Sequence, residues 1–114
     1  MKIGIVGQGY VGTAIKVGFE PHYELETYDK FDEDKSTCGL SDMVAECEVI
    51  FVCVPTPMNE DGSCHTDIVE SVVKDIDKWS SRYHKDVSPI VVIKSTVPPG
   101  TTDRLHKKYK GVDV

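Results

Sequence analysis

Three observations in this sequence predict an α/β fold, a doubly wound parallel sheet. An apolar run, Lys2-Ile3-Gly4-Ile5-Val6, passes directly into Gly7-Gln8-Gly9-Tyr10-Val11-Gly12, the place where a strand turns into a helix. Two further runs, Val49-Ile50-Phe51-Val52-Cys53-Val54 and Ile90-Val91-Val92-Ile93, have the unbroken apolar character of strands covered on both faces. Around them apolar residues recur at helical spacing. Strands that alternate with helices imply crossover connections, and hence a parallel sheet.

Each glycine of the loop has its own task. Gly7 lets the chain turn sharply without a Cβ clash. Gly9 lets the backbone approach a pyrophosphate, and Gly12 lets the new helix sit close against the sheet. The first-turn N–H groups around Tyr10 and Val11, helped by the helix dipole, then face phosphate charge. Glycine-rich turns are common, but a strand before this one and a helix after it make it the fingerprint of a Rossmann-type dinucleotide site. The second half of that fingerprint is an acid about twenty residues further on, which accepts hydrogen bonds from the adenosine ribose. Asp29 holds that position, closing the run Glu24-Leu25-Glu26-Thr27-Tyr28. A carboxylate there repels a 2′-phosphate, so NAD is the expected cofactor over NADP. Lys30 beside it softens that preference and joins the expected cofactor contacts, and Lys35 lies within reach of the adenosine end.

The remaining elements follow in order. Val11 to Gly18 reads as a short helix stopped by Gly18 and Pro21, and strand two ends near Asp29. The acids Asp32, Glu33 and Asp34 read as a solvated surface. Ser41 is the expected cap of a brief helix through Glu46, which leads into the third strand, Glu48 to Val54. Pro55 stops the ladder, and Asn59-Glu60-Asp61-Gly62-Ser63 is turn chemistry. Asp67 is expected to cap a helix whose Ile68, Val69, Val72, Val73, Ile76 and Trp79 face the core. Ser88-Pro89 opens the fourth strand, Pro98-Pro99-Gly100 breaks the chain, and a helix covers Thr101 to Lys108. Val112 and Val114 look like the start of a fifth strand. The expected strand order is 3-2-1-4-5, with the ligand at the carboxyl ends of the strands near the switch point. Because the chain ends as the fifth strand begins, residues 1–114 read as one dinucleotide-binding domain, apparently truncated.

Composition narrows the function classes. At 114 residues and 39% hydrophobic, the chain is one globular domain. Its formal charge of −6 leaves no basic patch dense enough for nucleic acid or an anionic membrane. No run approaches the roughly 18 apolar residues of a membrane span, and the amino terminus is strand-like rather than a signal peptide, so the expected place is the cytoplasm. The four cysteines, Cys38, Cys47, Cys53 and Cys64, form no C-x-x-C pair, which supports neither a disulfide scaffold nor a zinc site. No metal is expected, and Cys64-His65 reads as a loop.

Two more motifs fall at the ends of the third and fourth strands, where the ligand belongs: Val54-Pro55-Thr56-Pro57 and Lys94-Ser95-Thr96-Val97-Pro98-Pro99-Gly100. Thr56 and Thr96 each bring a hydroxyl that can donate to a carboxamide or phosphate and accept from ribose or water. Taken alone, either threonine is better explained by capping or turn-making. Together with the glycine loop, however, the motifs resemble the UDP-glucose/GDP-mannose dehydrogenase family, whose amino-terminal NAD domain carries G-x-G-Y-V-G, V-P-T-P and K-S-T-V-P-x-G-T in this order. The resemblance covers essentially the whole chain. It implies that Thr56 and Thr96 contact NAD and that Thr96 also lies near the catalytic water beside the nicotinamide.

The resemblance further implies oxidation of the C6 alcohol of a nucleotide sugar to a carboxylate in two NAD-dependent steps. The aldehyde is captured by a cysteine thiolate and the thioester hydrolysed. The family's nucleophile lies in a G-F-G-G-x-C-F-P-K-D segment that this sequence does not contain. The nucleotide sugar is therefore expected as a partner only with the second half of the enzyme, and the oligomeric state is left open. The stretch between Asp29 and Cys47 is also shorter than the family usually has. Lys94 reads as a partner for loop backbone rather than as a base. Two alternatives remain: the related 3-hydroxyacid and 6-phosphogluconate dehydrogenases, and a free-standing non-catalytic NAD-sensing or scaffold module.

Overall fold

The computed structural model describes residues 2–29, 34, 36–54, 56, 66–82, 89–95, 97–110 and 112–114. Strands and helices alternate: β1 (Lys2–Val6), α1 (Tyr10–Phe19), β2 (Glu24–Tyr28), α2 (Leu40–Glu46), β3 (Val49–Val52), α3 (Asp67–Arg82), β4 (Ile90–Ile93) and α4 (Thr101–Lys108). The four strands form one parallel sheet in the order β2-β1-β3-β4. The α/β parallel fold expected from the sequence is therefore present.

The strand order departs from 3-2-1-4-5 in one respect. The third strand of the sequence does not lie outboard of β2. It pairs with β1 on the side away from β2, with Gly4 opposite Ile50 and Val6 opposite Val52. The reason lies in composition. β3 is apolar on both faces and gains most from a central position between β1 and β4. β2 carries Glu24 and Glu26, and charged side chains suit an edge strand. The place outboard of β2 is taken instead by residues 36–38, where the Thr37 N–H donates to the Thr27 carbonyl at 2.8 Å. The Thr27 N–H in turn donates to Thr37 Oγ1 at 2.9 Å. The switch point survives, between β1 and β3.

Alternation along the strands separates two faces. Gly4, Val6, Ile50, Val52 and Val91 point to the side occupied by α2, α3 and α4, where Met43, Val44, Val69, Val73, Ile76 and Leu105 complete one buried cluster with them. Gly4 belongs to this face because a Cβ there would lie 2.6 Å from Met43 Cγ and Sδ, so α2 packs directly on the β1 backbone. Ile3 and Ile5 point the other way, toward α1, and the Phe19 ring at the end of α1 lies 5.7 Å from that of Phe51. The α1 side is the thinner of the two. Val11 is 48% exposed and Val17 66%, and an apolar groove of about 510 Å³ lined by Val11, Ala14, Ile15, Gly18 and Phe19 runs along the helix.

Several element boundaries shift by a residue or more. α1 continues through Gly18 to Phe19, because a single glycine weakens a helix without ending it. Gly39 rather than Ser41 precedes the first turn of α2, and Ser41 lies inside that turn. Asp67 is the first helical residue of α3 rather than its cap, with Thr66 before it accepting the Glu70 N–H at 3.0 Å. Val112–Val114 does begin a strand-like pairing: Asp113 forms a parallel bridge with Ile90. The expected turn 59–63, Cys64-His65 and Ser88 lie outside the described residues. No described helix is long and apolar enough to cross a membrane.

α4 is fastened to α3 by one carboxylate. Glu70 accepts from Arg104 Nη1 at 2.6 Å, from Lys108 Nζ at 2.9 Å and from the Tyr109 hydroxyl at 3.0 Å. Hydrogen bonds from Arg104 and Lys108 hold the Glu70 carboxyl down to about 2, against an ordinary value of 4.5. A depressed carboxyl stabilises the fold fully above its unfolded value and loses that contribution as pH falls through its folded value. The stability advantage of the wild type over Glu70→Gln is therefore expected to be constant near neutrality and to vanish as pH drops from 4.5 to about 2. Denaturant midpoints of the two proteins across that range measure it; an unchanging difference contradicts the assignment.

Candidate functional site

Because all four strands are parallel, the loops that follow them emerge at one edge of the sheet. Backbone hydrogen bonds carry the ladder past the strand ends and draw these loops together. The Gly7 N–H donates to the Tyr28 carbonyl at 2.8 Å, the Cys53 N–H to Val6 at 2.8 Å and the Lys94 N–H to Val52 at 2.9 Å. The segments beginning at Gly7, Asp29, Cys53 and Lys94 thus meet side by side.

The glycine loop is the tightest point. Gly7 has φ of 96°, a left-handed backbone that disfavours side chains. A Cβ on it would also stand 2.6 Å from the Cys53 carbonyl oxygen, so the β1 turn and the β3 end touch backbone to backbone. A Cβ on Gly12 would run into the Gly7 carbonyl, which makes the close approach at Gly12 one between the first turn of α1 and the strand end itself. Gly9 is different. A Cβ there would meet nothing within 4 Å among the described residues, which leave open space directly over the start of α1. Gly9 is the N-cap of that helix; it offers no side-chain cap, and the first turn holds no acid. The positive end of the helix dipole is left without a counter-charge from its own turn, and the Tyr10, Val11 and Gly12 amides have no intrahelical acceptor. This is a fitting seat for a pyrophosphate.

Asp29 stands at the neighbouring strand end, where its Oδ2 accepts the Gln8 N–H at 3.0 Å. The carboxylate thereby fastens the glycine loop while facing the cleft. Its own backbone is held by Ser36, whose Oγ accepts the Asp29 N–H at 2.8 Å and donates to the Asp29 carbonyl at 3.3 Å. Thr13 Oγ1 donates to the Gln8 carbonyl at 3.1 Å, tying the helix back to the loop. Gln8 is only 4% exposed, and its side-chain amide reaches the Gly7 carbonyl at 3.3 Å.

On the other side of the cleft, Thr56 is half-buried after β3. Ser95 Oγ donates to the Val54 carbonyl at 2.7 Å and so links the loop after β4 to the loop after β3. Lys94 is exposed. Thr96 and Lys30, both singled out by the sequence, lie outside the described residues, as do Pro55, Pro57, Lys35 and Cys64. The structure therefore gathers Gly7, Gly9, Gly12 and Asp29 around the start of α1, with Thr56 at an adjoining strand end. Gln8, Thr13, Ser36 and Ser95 were missed by the sequence reading. Serine and threonine just beyond strand ends are a usable signal for such backbone ties, but they carry no periodicity to mark them.

The thiols among the described residues are poor nucleophiles. Burial pushes Cys53 up to about 11 and Cys38 and Cys47 to about 12, the latter two also through Glu26, whose Oε2 lies 3.4 Å from Cys38 Sγ and 3.7 Å from Cys47 Sγ. At neutral pH they are thiols, and the thiolate is the reactive form.

Residues 20–112 match the model of the UDP-glucose/GDP-mannose dehydrogenase family, NAD binding domain. The chain belongs to this family. UDP-glucose 6-dehydrogenase of Pseudomonas aeruginosa is 34% identical over 91 positions, covering 78% of this chain and 19% of that protein. UDP-glucose 6-dehydrogenase of Rickettsia prowazekii is 32% identical over 143 positions, covering 97% of this chain and 32% of that one. A UDP-glucose dehydrogenase structure from Pyrobaculum islandicum superposes with a TM-score of 0.79 at 25% identity, over 98% of this chain and 34% of the other. The fold is shared with a GDP-mannose dehydrogenase of Pseudomonas aeruginosa solved as a ternary complex, at a TM-score of 0.80 and 24% identity over 99% of this chain and 33% of that one. The chain thus spans between about a fifth and about a third of the length of these relatives. The Rickettsia alignment, at 143 positions against a chain of 114 residues, also gives the relative about thirty residues that this family member does without.

The glycines give a graded prediction. Gly7→Ala and Gly12→Ala each push a Cβ into backbone and, with the strain at Gly7, are expected to lower stability by about 2 kcal/mol or more. Gly100, at φ of 88° with open space around it, is expected to cost only about 1–2 kcal/mol when changed to alanine. Denaturant unfolding of the three variants checks the ranking.

Proposed function

We propose that this chain holds NAD for a nucleotide-sugar 6-dehydrogenase of the UDP-glucose to UDP-glucuronate type, which performs two successive NAD-dependent oxidations. The observation that carries the reading is the open, uncapped start of α1 at Gly9 with the Asp29 carboxylate beside it. Its support is the family membership, together with relatives whose names specify UDP-glucose 6-dehydrogenase.

In this reading residues 1–114 act as one NAD-binding domain. The amides at Gly9, Tyr10, Val11 and Gly12 bind the pyrophosphate while Gly7 shapes the turn. Asp29 accepts from the adenosine ribose, with Lys30 at its side, and Thr56 and Thr96 orient the nicotinamide end. The resemblance to the family assigns Thr96 the contact beside the catalytic water. NAD, when bound, accepts hydride from the sugar carbon. The chain's contribution is to hold that acceptor in place and to exclude a 2′-phosphate through Asp29.

The chain alone does not turn over substrate in this proposal. No G-F-G-G-x-C-F-P-K-D segment occurs in its sequence, and Cys38, Cys47 and Cys53 are all held in the protonated form. The nucleotide sugar is bound only in company with the substrate half of the enzyme. Cys38, Cys47 and Cys53 form no disulfide, which suits a reducing compartment, and we place the protein in the cytoplasm.

Isothermal titration tests the proposal. The chain is expected to bind NAD more tightly than NADP, and Asp29→Ala to weaken NAD roughly tenfold or more as a charged acceptor is lost. Gly9→Ala is expected to leave the melting temperature nearly unchanged, since its Cβ enters open space, yet to abolish binding. A folded wild-type chain that binds no dinucleotide refutes the reading.

A further inference from the structure

We propose that Ser36 is a positioning residue for cofactor choice: by holding the Asp29 backbone from outside the sheet, it sets how strongly the site prefers NAD over NADP. The inference rests on the reading that the chain holds NAD, and it starts from the edge of β2. An edge strand leaves a row of N–H and C=O groups unpaired on its outer side. Here the outer groups of β2 at Thr27 and Asp29 are satisfied by a three-residue segment rather than by a strand. The Thr37 N–H and Oγ1 serve Thr27, at 2.8 and 2.9 Å. Ser36 Oγ serves both backbone groups of Asp29, at 2.8 and 3.3 Å.

The connection from β2 to α2 takes only residues 29–39. One hydroxyl therefore does at Asp29 what the ladder of a longer neighbouring strand does elsewhere in a sheet. The Asp29 N–H points away from β1, as that of Thr27 does, and it is Ser36 Oγ rather than a β1 carbonyl that accepts it. The Asp29 carboxylate has two demands on its direction: it accepts the Gln8 N–H at 3.0 Å, and it must meet the ribose from the same strand end. Small rotations of the Asp29 backbone swing the carboxylate away from the 2′ position. Ribose hydrogen bonding and repulsion of a 2′-phosphate then weaken together, so losing the Ser36 hydroxyl lowers NAD affinity and narrows the NAD-to-NADP ratio.

This signature separates positioning from mere stability. Thr37 is the internal control, because it ties the same segment to Thr27 without touching Asp29. Titration of NAD and of NADP into the full chain, with melting temperatures alongside, is the experiment. Ser36→Ala is expected to weaken NAD roughly three- to tenfold while leaving NADP nearly unchanged, the scale of one hydrogen bond. Ser36→Thr, which keeps the hydroxyl, is expected to retain the wild-type ratio. Thr37→Val is expected to lower the melting temperature with the ratio intact. Equal losses for both dinucleotides in Ser36→Ala, or a ratio in Ser36→Thr as narrow as that in Ser36→Ala, overturn the proposal. If Ser36→Ala does not fold, the Ser36→Thr and Thr37→Val ratios decide: both at the wild-type value support it, and a narrowed ratio in Thr37→Val overturns it. A wild-type chain that binds neither dinucleotide overturns the cofactor reading itself.

Discussion

The structure hangs on a backbone contact with no room in it. Gly7 turns out of β1 with a positive φ, its Cα faces the Cys53 carbonyl of β3, and its own carbonyl faces the Cα of Gly12 in α1. Three elements therefore converge where neither Gly7 nor Gly12 has room for a side chain. Packing of main chain against main chain is stiff, because neither partner has a rotamer to give. The direction of α1, the depth of the cleft and the spacing between the β1 and β3 loops all follow from that contact.

Polar ties then convert the scaffold into a site. Asp29 reaches across to the Gln8 amide, Thr13 reaches back to the Gln8 carbonyl, and Ser95 spans from β4 to the Val54 carbonyl. Each tie takes up a main-chain group that would otherwise be orphaned at a strand end, which buried backbone rarely tolerates. The Gly9 position is the exception, left open at an uncapped helix start. An anion is the natural complement of that gap. Charge elsewhere is used structurally: Glu26 binds Lys2 at 2.8 Å, and Glu70 gathers three donors from the α4 region.

Much of this was legible in the residues. Gly7, Gly9, Gly12 and Asp29 declared a dinucleotide site because the chemistry demands glycine at points of close approach and an acid one strand further on. The apolar runs of β1, β3 and β4 and the helical spacing of α3 declared an α/β sheet. The position of β3 was not legible, since a continuous apolar run says that a strand is covered but not which neighbours cover it. The backbone ties by Ser36 and Ser95 were also hidden. A hydroxyl that bonds to distant main chain has no sequence partner to give it away.

By itself, then, the sequence determined the class of fold, the family and the cofactor chemistry, because each depends on residue types at short spacings that local sterics and charge dictate. The tertiary structure decided the strand order β2-β1-β3-β4, the sharing of the sheet between α1 on one face and three helices on the other, and the sealing of the β2 edge by residues 36–38. These are outcomes of competition between distant segments for the same buried surface and the same unpaired hydrogen bonds. Such a competition is settled only when the chain is folded, because its terms are distances between residues that the sequence holds far apart.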